Sequence, residues 1–131
     1  MSEPTTPPRQ TDSFELSGEL GVELSRPGPD VAVMAVTGEI DSLTTPALER
    51  GLGELLAMTE PLLVIDLSDV TFLASSGLAA LIRAAQRLEP REQRLRLVAT
   101  GRAVRRPLEV TGSDQLFDLF SARESATGDR V

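Results

Sequence analysis

A chain of 131 residues is long enough for one compact domain with a genuine core and too short for two. It has no cysteine and no histidine, and all thirteen basic residues are arginine, which excludes disulfide frameworks, thiolate and imidazole catalysis, cysteine-held metals, Schiff-base lysines and the lysine of a phosphate-binding loop. Hydrophobic residues at 40% and charged residues at 25% are globular proportions without an apolar run fit to span a membrane, and a net charge of −7 opposes binding to nucleic acid.

Residues 1–15 are rich in proline and threonine and lack the basic-then-apolar order of a secretory signal, so a flexible N-terminal segment and a cytoplasmic location are expected. The folded domain is expected over residues 16–120, with 121–131 as a flexible C-terminal tail. Leu20 to Leu24 alternates apolar and polar residues, Arg26-Pro27-Gly28-Pro29-Asp30 is a strong turn, and Val31 to Val36 is apolar. Together they predict an opening hairpin.

Thr45-Pro46 predicts an N-cap followed by proline at the first helical position, and Leu48, Leu52, Leu55 and Leu56 form one buried helical stripe. Gly51 and Gly53 lie inside that helix and each cost about 1 kcal/mol relative to alanine, so packing on a sheet has to hold it. Leu62 to Leu67 is apolar except for Asp66 and reads as a central strand covered on both faces.

A second helix is predicted from Ser75 to Leu88, with Leu78, Leu81, Ile82, Ala85 and Leu88 on its buried side. Its arginines open a stretch, residues 83–106, with eight Arg and two acids, opposite in sign to residues 39–69 with seven acids and one Arg. No aromatic is interleaved among those arginines, so they read as a solvated helix face with Arg83 and Arg87 favourably placed near a helix C-terminus. Leu95, Leu97 and Ala99 alternate as a further strand. Val104, Leu108 and Thr111 mark a third helix closed by Gly112, with Pro107 expected to kink it or confine regular helix to the part after it. Alternating strands and helices of these lengths predict an α/β fold.

In open α/β sheets, sites gather beyond the carboxyl ends of strands. Two segments qualify: Gly38 to Ser42 after the second strand, and Asp69 to Gly77, read as a loop between the central strand and the second helix. Ser75 and Ser76 fall where that helix begins. A serine there serves either to cap free N–H groups or to carry a phosphoryl group that the same N–H groups and the helix dipole tolerate. Gly77 serves either close packing or close approach of a partner. Asp66 and Asp69 at a strand end also suggest a Mg²⁺-dependent carboxylate enzyme, but no phosphate loop, catalytic base or second acidic cluster accompanies them, and no enzyme is expected.

The stretch Ile65-Asp66-Leu67-Ser68-Asp69-Val70-Thr71-Phe72-Leu73-Ala74-Ser75-Ser76-Gly77-Leu78 resembles the signature of STAS domains in bacterial anti-sigma factor antagonists. Gly38 to Leu48 resembles that family's Gly-x-Ile/Leu-Asp loop and first helix, and Leu108 to Gly112 its late helix terminus, so the similarity covers about residues 20–120. The resemblance implies a single STAS-like domain, with a mixed sheet of about four to five strands and helices packed on it. It also implies partner switching: binding to an anti-sigma factor with serine kinase activity frees a sigma factor, phosphorylation of Ser75 (with Ser76 the runner-up) ends the binding, and a phosphatase restores it. Glu39, Asp41, Ser42, Thr44, Ala74, Ser75, Ser76 and Gly77 are the implied partner-binding residues. No cofactor is implied for this chain, the ATP being the kinase's. Many members of the family carry an acid before the modified serine, where this chain has Ala74, so an unphosphorylated scaffold in a stress-sensing or lipid-transport complex is the alternative.

Overall fold

The computed structural model describes residues 20–128; the segment expected to be flexible over residues 1–15 lies outside the described residues. The alternating start of the domain becomes strand β1 (Gly21–Gly28), antiparallel to β2 (Val31–Ile40). The turn is shorter than the sequence suggests, because Arg26 and Pro27 remain in β1, where the register shifts between Ser25 and Gly28. Only an edge strand tolerates a proline in this way, and β1 is the edge of the five-stranded sheet, whose order is β1-β2-β3-β4-β5.

Helix α1 (Thr45–Leu56) starts one residue earlier than predicted, with Thr44 as N-cap and Pro46 second in the helix. It buries Leu48, Leu52, Leu55 and Leu56. A methyl group at Gly51 would stand 2.7 Å from Val22 Cγ1 and 2.9 Å from Met34 Sδ, so glycine lets α1 lie directly against β1 and β2. At Gly53 a methyl group meets nothing within 4 Å.

Strand β3 (Leu62–Leu73) is parallel to β2 and to β4 (Arg94–Val98). Its twelve residues run well past the apolar stretch, and Asp69 to Leu73, expected as loop, is strand. The cause lies in the pairing with β2. Ala35 faces Asp66 but Thr37 faces Asp69, and Gly38 faces Val70 but Glu39 faces Phe72. Two extra residues in β3 thus bulge the ladder, and burial falls at Leu67, Val70 and Leu73 in place of a two-residue alternation.

Helix α2 (Ser75–Leu88) follows, then β4, α3 (Arg102–Thr111), a 3-10 turn (Ser113–Leu116) and β5 (Asp118–Phe120), parallel to β4. Helix α3 continues from Arg102 through Pro107 to Thr111, so regular helix is not confined to the part after the proline. Burial of Val104 and Leu108 on either side of the proline anchors the helix, and Gly112, at φ 76°, closes it as predicted.

From β2 onward each strand neighbours the next, and the crossovers between these parallel strands place α1, α2 and α3 on one face. Their apolar stripes share one core with Met34, Ile65, Leu67 and Leu97. A smaller core of Val31, Val33, Leu62, Val64 and Val98 lies on the other face. There the predicted flexible tail requires correction: Arg123–Gly128 forms a short helix, α4, whose Ala126 is fully buried in that core. Two arginine contacts add to this packing. Arg123 Nε donates to Asp66 Oδ2 at 2.7 Å, and Arg96, stacked on the Phe120 ring at 4.9 Å, donates to the Ala126 carbonyl at 2.9 Å.

Candidate functional site

Because β2 and β3 are parallel, their carboxyl ends emerge at the same edge of the sheet, and the Ala74 N–H donates to the Ile40 carbonyl at 2.8 Å there. All eight residues singled out from the sequence gather at this edge. Glu39, Ser42 and Ser75 are exposed, Asp41, Ala74 and Ser76 are half-buried, and Thr44 and Gly77 are buried.

Between β2 and α1 the chain folds around Asp41. Its Oδ1 accepts the N–H groups of Leu43 and Thr44 at 2.9 and 3.0 Å, an Asx turn. Thr44 Oγ1 accepts the Asp41 N–H at 2.8 Å and donates to the Glu39 carbonyl at 2.7 Å. The carboxylate of Asp41, expected as a docking group, therefore shapes its own loop, and Thr44 holds that loop from within.

Neither serine hydroxyl caps α2. Ala74 is the N-cap, extended at φ −82° and ψ 166°, and the first turn contains no acid. The N–H groups that any helix leaves unpaired at its start are thus neither capped by a side chain nor charge-compensated. Ser75 is the first helical residue, with its side chain exposed. Ser76 differs: its Oγ lies 2.9 Å from Thr45 Oγ1. Thr45 has a single hydroxyl proton and gives it to the Asp41 carbonyl at 2.7 Å, so Ser76 is the donor of that contact.

Gly77 has a packing reason. A methyl group there would stand 2.2 Å from Ile40 Cγ2 and 3.1 Å from Leu73 Cδ1, so glycine seats the start of α2 on the ends of both strands.

Two large apolar residues that sequence reasoning passed over are exposed on the same two segments. Leu43 is 87% exposed in the turn, and Phe72, paired in register with Glu39, is 49% exposed. Leu43 carried a usable signal, since it falls outside the leucine stripe of α1 and has no core position to fill. Phe72 carried none, because the bulges hide which residues of β3 face outward.

Asp66 is elsewhere, on the face covered by α4. Burial pushes its carboxyl up, but the hydroxyl and N–H of Ser68 and the Arg123 guanidinium outweigh that and hold it below the usual carboxylate value. Asp66 is thus committed to a structural ion pair while Asp69 is exposed. Among the described residues no group of three or more acidic side chains could hold a metal ion.

This sheet and edge define a class. The STAS domain family model matches residues 26–126, and the chain belongs to that family. It is 43% identical over 96 residues to the anti-sigma-F factor antagonist RsfB of Mycobacterium tuberculosis, covering 73% of this chain and 78% of that protein. It is 26% identical over 112 residues to the anti-sigma-B factor antagonist of Listeria monocytogenes, covering 86% and 98%. The crystal structure of an anti-sigma factor antagonist from Mycobacterium paratuberculosis superposes with a TM-score of 0.77 at 39% identity, covering 83% of this chain and 92% of that one.

Proposed function

We propose that this chain is an anti-sigma factor antagonist, a cytoplasmic protein that acts by binding and not by catalysis. It binds an anti-sigma factor with serine kinase activity through the edge formed by Glu39 to Thr44 and Phe72 to Ser76, and so releases a sigma factor. Leu43 and Phe72 supply apolar contact area, and Ser75 is the switch. Its exposed hydroxyl, beside a Ser76 hydroxyl already engaged by Thr45, is the observation that carries this reading.

In the switching step Ser75 Oγ attacks the γ-phosphorus of the kinase's ATP. The hydroxyl proton passes to a base of the kinase, and ADP leaves. The phosphoserine brings about −1.5 to −2 charges to an edge that already presents Glu39 and Asp69. The open N–H groups and dipole at the start of α2 accommodate the phosphate without unfolding the domain. Against a partner the same charge repels or stays desolvated, and a loss of about 2.8 kcal/mol is a hundredfold in affinity. A phosphatase acting on Ser75 restores binding.

The test mixes the chain with candidate anti-sigma factor kinases, beginning with counterparts of the anti-sigma-F factor named in its mycobacterial relative. With ATP present, the phosphate is mapped by mass spectrometry while complex formation is followed. Phosphate on Ser75 with loss of the complex is expected; a complex that persists with Ser75 fully phosphorylated contradicts the switch.

A further inference from the structure

Resting on that reading, the hydroxyl contact beside Ser75 leads to a second conclusion. The hydrogen bonds made by the side chains of Asp41 and Thr44 all close within residues 39–45. They give the turn its shape but do not fix where it lies relative to α2. Leu43 supplies no apolar anchor, being 87% exposed. The Ala74 N–H donation to the Ile40 carbonyl joins the end of β2 to the N-cap of α2; among the described residues, the side-chain hydrogen bond that joins the start of α1 to the first turn of α2 is the donation from Ser76 Oγ to Thr45 Oγ1. Thr45 passes the tie on through its own donation to the Asp41 carbonyl.

We infer that Thr45 and Ser76 are positioning residues for partner binding: their hydroxyl bridge holds Leu43 at a fixed place relative to Ser75. A partner that reads the turn and the serine together gains from that preorganisation, because otherwise the turn has to be ordered on binding. The two adjacent serines then have separate tasks, one to be modified and one to hold the surface on which modification is read. Helices α1 and α2 also pack along their lengths in the shared core, so loss of the bridge loosens their starts and leaves the fold standing.

The experiment compares wild type with Thr45→Val, Ser76→Ala and the double variant, with Thr45→Ser as the conservative control. Affinity is measured calorimetrically for the anti-sigma factor that binds wild type in the assay above, and backbone amide relaxation of Leu43 is measured in the free chain. Each single variant is expected to weaken binding about fivefold while remaining folded, with a small fall in melting temperature that is larger for Thr45→Val, which also loses the donation to the Asp41 carbonyl. The double variant binds no more weakly than the weaker single one, because both remove the same contact. Thr45→Ser restores affinity, and Leu43 becomes more mobile in both single variants. Wild-type affinity in the folded single variants, strictly additive losses, or unchanged Leu43 relaxation overturns the inference. Should no anti-sigma factor bind wild type, the functional reading fails, and the relaxation measurement still decides whether the bridge holds the turn.

Discussion

Arg123 reaches back from the last described helix to Asp66 in the centre of the sheet, Nε to Oδ2 at 2.7 Å, and ties the C-terminal segment to the face opposite the three long helices. The Asp66 side chain is nearly inaccessible and that of Arg123 about half exposed. Removing the arginine leaves a buried carboxylate whose remaining partner among the described residues is Ser68.

Arg123→Ala is therefore expected to destabilise the domain by about 1–2 kcal/mol, between the values for exposed and buried pairs. Chemical denaturation measures it. An unchanged midpoint contradicts the assignment of α4 as a packed element.

The same pair sets a pH dependence. Asp66 has its carboxyl value lowered in the folded state, so near pH 4 the unfolded chain binds the proton more readily. Its stabilisation is complete above the ordinary carboxyl value of about 4 and is lost as pH falls through the lower folded value. Urea midpoints followed from pH 6 to pH 2 are expected to fall less steeply below about pH 4 in Asp66→Asn than in wild type.

Three glycines separate packing from propensity. Gly77→Ala drives a methyl group to 2.2 Å from Ile40 Cγ2 and is expected to cost about 1–3 kcal/mol, as overpacking does. Gly51→Ala, against Val22 and Met34, costs a similar amount. Gly53→Ala meets nothing and is expected to stabilise by about 0.5–1 kcal/mol. Thermal melts of the three variants give the order directly.

Ala74 occupies an N-cap with the extended backbone that a capping side chain requires, yet supplies no oxygen. Ala74→Asp is expected to add about 1 kcal/mol of stability by capping the first turn of α2. A melting temperature equal to or below that of wild type contradicts the uncapped start described here.

The overall α/β order, the opening hairpin and the leucine stripes of α1 and α2 were legible from residue patterns, because burial on one or both faces dictates those periods. The extension of β3 was not. Its two bulges replace the alternation with burial at Leu67, Val70 and Leu73, a spacing that belongs to no regular strand. Nor was α4 legible, since a six-residue helix held by one buried alanine and two distant arginine contacts leaves no local pattern. At the edge, motif resemblance located the serines, but two neighbouring hydroxyls look alike in sequence. Only the position of Thr45, thirty-one residues away in the chain, distinguishes them.

On the proposed reading, the exposed apolar residues at the edge serve binding and not folding. Leu43→Ala and Phe72→Ala, each truncating an exposed residue, are expected to change the melting temperature little and to weaken the complex about tenfold each, or 1.4 kcal/mol. Calorimetric titration with the anti-sigma factor checks this.

The central claim is tested most directly by titrating that anti-sigma factor with the wild-type chain, Ser75→Ala and Ser75→Asp, in the presence and absence of ATP. Ser75→Ala is expected to bind equally well with and without ATP, wild type to lose its affinity as ATP is consumed, and Ser75→Asp to bind weakly throughout. Equal affinity of all three proteins in both conditions contradicts the claim.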